Sequence, residues 1–125
     1  MRMKGKKYNL LVHYKYPQIK KGFEVIVNAL SLPTSIIYTQ LDEDGILFKL
    51  RFDPHLIIIL MGEGDSDYDL SFKIKLFAPH IPIIVITPQV PASFQEYLLQ
   101  NGVGRVIQLP MNEEEIRNVI MDIIL

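Results

Sequence analysis

The chain has 125 residues, 49% of them hydrophobic and 22% charged, with a net charge of −1 and a mean hydropathy of +0.19, which fits one compact domain over 1–125 and leaves no room for a second. There is no cysteine, so disulfide frameworks, thiolate zinc sites, iron–sulfur clusters and cysteine nucleophiles are excluded. The longest apolar run, 56–61, is far short of the ~20 residues a membrane span needs, and the basic N-terminus has no apolar signal core, so a cytoplasmic protein without membrane contact is expected.

Along the chain, short apolar segments bounded by turn residues alternate with segments of helical period, the pattern of a parallel α/β sheet. Residues 1–7 are expected to form a flexible basic tail. A first strand at 8–14 is followed by a helix at 17–29, with Pro17 in the initial turn and Ile19, Phe23, Ile26, Val27 and Leu30 on one stripe. A strand at 35–40 leads to a weak helix at 42–49, interrupted by Gly45. The third strand, 56–61, precedes a short helix at 71–77 that ends before Pro79. The fourth, 83–87, precedes a helix carrying Phe94, Tyr97 and Leu98 and closing near Gly102, which suits the left-handed conformation of a helix end. After a fifth strand at 105–109, Asn112 with Glu115 three residues later reads as an N-terminal cap. Ile116, Val119, Ile120 and Ile123 then repeat at helical spacing.

Continuous apolar strands are those covered on both faces. Right-handed crossovers close them into a three-layer, flavodoxin-like sheet of order 2-1-3-4-5. The working site of such a sheet lies at the carboxyl ends of the strands, here just after Val12, Ile59 and Ile86. The residues there discourage most chemistries. The turn after the first strand, Val12-His13-Tyr14-Lys15-Tyr16-Pro17, is too bulky to bring backbone N–H groups to a phosphate. The triplets at 62–64 and 102–104 lack the third glycine of a dinucleotide fingerprint and read as turns. The acids Glu63, Asp65, Asp67 and Asp69 alternate as in a calcium loop, but Leu70 and Leu76 stand where its glycine and bidentate glutamate belong, so a solvated loop is expected and no metal site is assigned. His13, His55 and His80 are not spaced as a metal pair, and no serine occupies a nucleophile elbow. No catalytic residue, cofactor or enzymatic activity is expected.

Charge is skewed: the first 21 residues carry +7 and the rest −8. A nucleic-acid contact through the basic segment is the lesser reading, because 1–7 reads as a solvated tail and Lys20-Lys21 as the outer face of a helix.

From Asp53 onward the chain resembles the receiver domains of two-component response regulators. Pro54-His55-Leu56-Ile57-Ile58-Ile59-Leu60 looks like the third strand with its acceptor position, and Pro82-Ile83-Ile84-Val85-Ile86-Thr87 like the fourth strand with its hydroxyl residue. Asn101-Gly102-Val103-Gly104 looks like the small-residue turn, and Leu109-Pro110 stands at the Lys-Pro motif. The spacings, 27 positions from Leu60 to Thr87 and 22 from Thr87 to Leu109, are those of a receiver. The N-terminal half matches only in pattern. The resemblance implies a CheY-like fold and a phosphorylation site built from a nucleophilic aspartate, an acid pair for Mg²⁺, a lysine and a hydroxyl. Carried over, those positions are Leu60, His13 with Tyr14, Leu109, and Thr87, of which only the hydroxyl is kept. An alkyl chain neither attacks phosphorus nor binds a hard cation. Replacing both members of a buried ion pair by leucine costs little, whereas losing one would strand a charge. Leu60 and Leu109 are therefore expected to touch, with the Thr87 hydroxyl bound locally.

The resemblance also places an aromatic lever on the fifth strand, where this chain has the stiff Val106, so one dominant conformation is expected. It implies a pseudo-receiver that serves signal transduction by protein–protein interaction, contacting a partner or a second copy through the fourth helix, fifth strand and fifth helix. Phe94, Gln95, Gln100, Arg105, Val106, Gln108, Arg117 and Met121 are the candidate contact residues, expected to be exposed apart from Val106. An alternative is a flavodoxin-like small-molecule or cofactor domain using His13, Tyr14, Glu63 and Thr87 in the strand-end crevice.

Overall fold

The computed structural model describes residues 7–40, 43–62 and 69–125. The basic tail up to Lys6, the expected helix start at Asp42 and the acids Glu63, Asp65 and Asp67 lie outside the described residues. Five strands, β1 (Tyr8–Tyr14), β2 (Thr34–Thr39), β3 (Leu56–Leu60), β4 (Ile83–Thr87) and β5 (Arg105–Gln108), form one parallel sheet in the order β2-β1-β3-β4-β5. Parallel neighbours cannot be joined by hairpins, and each connection carries a helix: α1 (Pro17–Leu30), α2 (Glu43–Lys49), α3 (Asp69–Phe77) and α4 (Ala92–Gln100), with α5 (Glu113–Ile124) closing the chain. This is the expected three-layer fold.

Side chains alternate across the sheet, so each continuous apolar strand feeds two cores. Leu10, Val12, Leu56, Ile58, Leu60, Ile84 and Ile86 pack with Phe23 and Val27 of α1 and Ile116, Val119 and Ile120 of α5. Leu11, Ile57, Ile59, Ile83 and Val85 pack on the opposite face with Ile46 of α2, Leu70 and Ile74 of α3 and Leu98 of α4. The two faces are unequally covered, since α1 and α5 run 14 and 12 residues while α2, α3 and α4 run 7, 9 and 9.

Local chemistry sets the ends. The Asn112 side chain accepts a 2.9 Å hydrogen bond from Glu115 N–H, the expected cap of α5. Gly102 takes φ +103° between α4 and β5, as its position suggested. Past Gly45, α2 tightens into a 3₁₀ turn over Leu50–Phe52 and stops at Asp53 with φ 49°. Boundaries differ from expectation by one or two residues. β2 starts at Thr34 because Tyr8 N–H already donates to Pro33 C=O at 2.9 Å, and α3 starts at Asp69 instead of 71. Among the described residues no helix is long and apolar enough to cross a membrane.

Candidate functional site

The strand order reverses beside β1, and its carboxyl end is where the expected positions meet. His13 and Tyr14 lie opposite Ile59 and Leu60, and Leu60 opposite Ile86. Thr87 lies opposite Gln108, and Leu109 N–H donates to Thr87 C=O at 2.8 Å. The five positions then divide by face. Leu60, 1% exposed, belongs to the α1/α5 core, and Tyr14 and Leu109 pack against that same cluster. His13 and Thr87 are buried on the α2–α4 face. The two leucines thus share one apolar cluster.

Thr87 corrects one expectation. Its hydroxyl, in a residue 1% exposed, has no hydrogen-bond partner among the described residues. The polar side chain across the ladder is committed elsewhere, since Gln108 Oε1 accepts from Val90 N–H at 2.8 Å. An orphaned buried hydroxyl costs stability.

Beside the carboxyl end of β3, Tyr16 and Ile19 meet the backbone of Gly62. Tyr16 lies against the Gly62 backbone so closely that a Cβ on Gly62 would come within 2.6 Å of Tyr16 Cε2 and 3.1 Å of Ile19 Cδ1. The glycine is what lets the ring settle there. The signal for it in the sequence is the aromatic-proline step Tyr16-Pro17. Beside this contact an open groove of about 390 Å³ is lined by Ile19, Pro88, Gln89, Leu109 and Pro110. Gln89 Nε2 donates to Leu109 C=O at 2.7 Å, and the Leu109–Pro110 peptide is cis. Among the described residues no group of three or more His, Asp or Glu side chains is placed to hold a metal ion.

Lys20 is also not the plain outer-face residue expected. Its ammonium sits 4.7 Å from the Tyr38 ring centroid and 5.9 Å from that of Tyr14, and bonds Glu24 at 3.3 Å. Burial, and secondarily the Glu24 carboxylate, push the Tyr38 hydroxyl up to about 12. The other two histidines lie away from the crevice: His55 Nδ1 accepts from Asn9 N–H at 2.9 Å, and His80 Nε2 is 3.2 Å from Asp53 Oδ1.

Comparison with solved structures places this architecture. The chain is similar to the signal receiver domain of a LuxO repressor protein from Vibrio parahaemolyticus, with 19% identity over 92% of this chain and 88% of that one and a TM-score of 0.78. It is likewise similar to the signal receiver domain of the response regulator NarL from Mycobacterium tuberculosis, with 14% identity, 94% and 95% coverage and a TM-score of 0.76. A pilus assembly-related protein from Burkholderia pseudomallei superposes at TM-score 0.80 with 13% identity over 98% and 92% of the two chains. The fold is the receiver fold. No protein-family profile and no curated protein matches the sequence.

The receiver face formed by α4, β5 and α5 carries the expected contact positions, but their exposure is uneven. Gln100, Arg105 and Arg117 are exposed. Phe94, Gln95, Gln108 and Met121 are only half-buried positions rather than exposed ones, because each has work inside the fold. Phe94 packs on the α2–α4 core together with Val106, and Met121 on the α1/α5 core. Gln95 Nε2 donates to Val90 C=O at 3.3 Å and Gln108 receives Val90 N–H. A groove of about 440 Å³ does run along this face, between Arg105 and Val106 of β5 and Glu114, Glu115 and Asn118 of α5.

Proposed function

We propose that this chain is a pseudo-receiver: a receiver-fold module that is not phosphorylated by the aspartyl route and that acts in cytoplasmic signal transduction by being bound by another protein, without enzymatic activity of its own. The observation carrying this reading is Leu60, 1% exposed within a fully apolar cluster that Leu109 also joins. A receiver needs a nucleophilic oxygen at the first position and a cation at the second. Methyl groups at both leave nothing to attack phosphorus or to balance the transferred charge. Val106, half-buried against the α2–α4 core, supports a single resting conformation. The groove between β5 and α5, with Arg105 at one wall and Glu114 and Glu115 at the other, supports α4–β5–α5 as the contact face.

The test is an amide NMR titration with Mg²⁺ and beryllofluoride. Unchanged resonances for Leu60, Thr87 and Leu109 are expected; shifts centred on them overturn the reading. The open groove beside Leu109 favours a second reading, a small-molecule site at the strand-end crevice. A visible absorbance scan with native mass spectrometry of the purified protein distinguishes it, since a cofactor held there co-purifies.

A further inference from the structure

At the opposite corner from that contact face, the sheet ends in an unusual edge. Among the described residues β2 pairs only with β1, and none of its six residues, Thr34–Thr39, is charged or proline. Natural edge strands are ordinarily blunted by lysine, proline or a bulge, because their unpaired N–H and C=O groups template further pairing. The phase of the ladder is set by Tyr8 N–H donating to Pro33 C=O, and the alternation of a parallel pair then turns the backbone groups of Ile36 and Tyr38 towards the open side.

The same corner is incompletely covered. A seven-residue helix is only ~10 Å long, and α2 leaves Ile37 45% exposed on the face it should cover, with Phe48 and Phe52 57% and 62% exposed next along the chain. Ile37, Phe52, Pro54 and Leu11 line a notch of about 190 Å³, the size of one large apolar side chain. Lys49 lines it and Arg51 lies next to Phe52 in the chain, while Asp53, the one acid of this segment, is 3.2 Å from His80 Nε2. Lys49 Nζ stands 5.6 Å from the Phe52 ring centroid, and the Arg51 guanidinium 5.0 Å from that of Phe48. Neither cation has a carboxylate partner among the described residues.

We propose that this corner docks an extended segment of a partner protein, which adds as a strand to the edge of β2, seats one apolar side chain in the notch and sets acidic side chains against Lys49 and Arg51. Main-chain bonding supplies affinity in such strand addition, and the notch and its rim supply selectivity. The rim argues for an acidic partner over a second copy of this chain. A two-fold antiparallel pairing of β2 with itself keeps both notches on the same face of the joined sheet and brings like charges together.

The probe is a synthetic heptapeptide with valine, phenylalanine and valine at its centre and two glutamates at each end, titrated into isotopically labelled protein at low salt. Amide shifts are expected on Ile36, Ile37, Tyr38 and Phe52, weakening as salt rises. A counterpart with lysines in place of the glutamates is expected to bind roughly tenfold more weakly. Ile37→Lys, at an exposed position, is expected to abolish the shifts while leaving the rest of the spectrum in place. Lys49→Glu with Arg51→Glu is expected to reverse the peptide preference. No shifts at millimolar peptide, equal binding of the two peptides, or a concentration-dependent dimer that Ile37→Lys dissolves each overturn the proposal, the last in favour of a second copy.

Discussion

The two faces of the sheet solve different problems with the same strands. Among the described residues the α1/α5 face is apolar up to the strand ends: its buried cluster holds no polar side chain, and Tyr14, Leu60 and Leu109 continue it to the carboxyl ends of β1, β3 and β5. The α2–α4 face carries every buried polar side chain among the described residues, His13, Thr39, Ser71 and Thr87, and its short helices leave Ile37, Phe48, Leu76 and Phe77 in solvent. The strand-end positions are therefore unlike on the two faces: Leu60 and Leu109 join an apolar cluster under two long helices, while the Thr87 hydroxyl on the other face has no partner among the described residues. A long helix makes apolar replacement cheap because it removes the whole stripe from water.

The largest test of this difference is Leu60→Asp. An unpaired carboxylate at a position 1% exposed is expected to lower unfolding free energy by about 3–5 kcal/mol. Adding Leu109→Lys is expected to recover about 1–2 kcal/mol of that loss, read by urea denaturation of the two singles and the double. A neutral Leu60→Asp would sink the picture of a sealed apolar face. Gly62→Ala probes the contact beside the carboxyl end of β3. The new methyl group collides with Tyr16, so the ring is expected to swing outwards at a cost of about 1–2 kcal/mol, seen as a change in Tyr16 ring resonances. Thr87→Val sharpens the contrast from the other face: deleting an orphaned hydroxyl should raise stability by about 1 kcal/mol, whereas a loss in thermal or urea denaturation would reveal a bonded hydroxyl.

The smallest effect is the alkaline limb of the stability curve. Tyr38 has its hydroxyl raised from 10.0 to about 12, so the unfolded chain ionises first. Its contribution is full below pH 10 and is lost as pH climbs towards 12. Spectrophotometric titration should find one of the six tyrosines ionising late, and Tyr38→Phe should flatten the slope of stability over that range.

Much of this was legible before any coordinates. Uninterrupted apolar runs at 56–60 and 83–86 announced strands covered on both faces, and the Asn112–Glu115 spacing announced a cap that is present at 2.9 Å. The exposure of Phe94, Gln95, Gln108 and Met121 was misjudged because helical spacing says which residues share a face and not which loop reaches back to them. Val90 N–H, 18 positions away, is what holds Gln108 inward.

The sequence by itself determined the order and type of the elements and the apolar character of positions 60 and 109, because both depend on local periodicity and on which functional groups a side chain possesses. Only the tertiary structure decided that Tyr16 rests on Gly62, that Lys20 stacks on Tyr38, and that a short α2 leaves Ile37 of β2 exposed. Those outcomes depend on how far each helix reaches across the sheet, and that distance is settled when segments remote in the chain compete for the same surface.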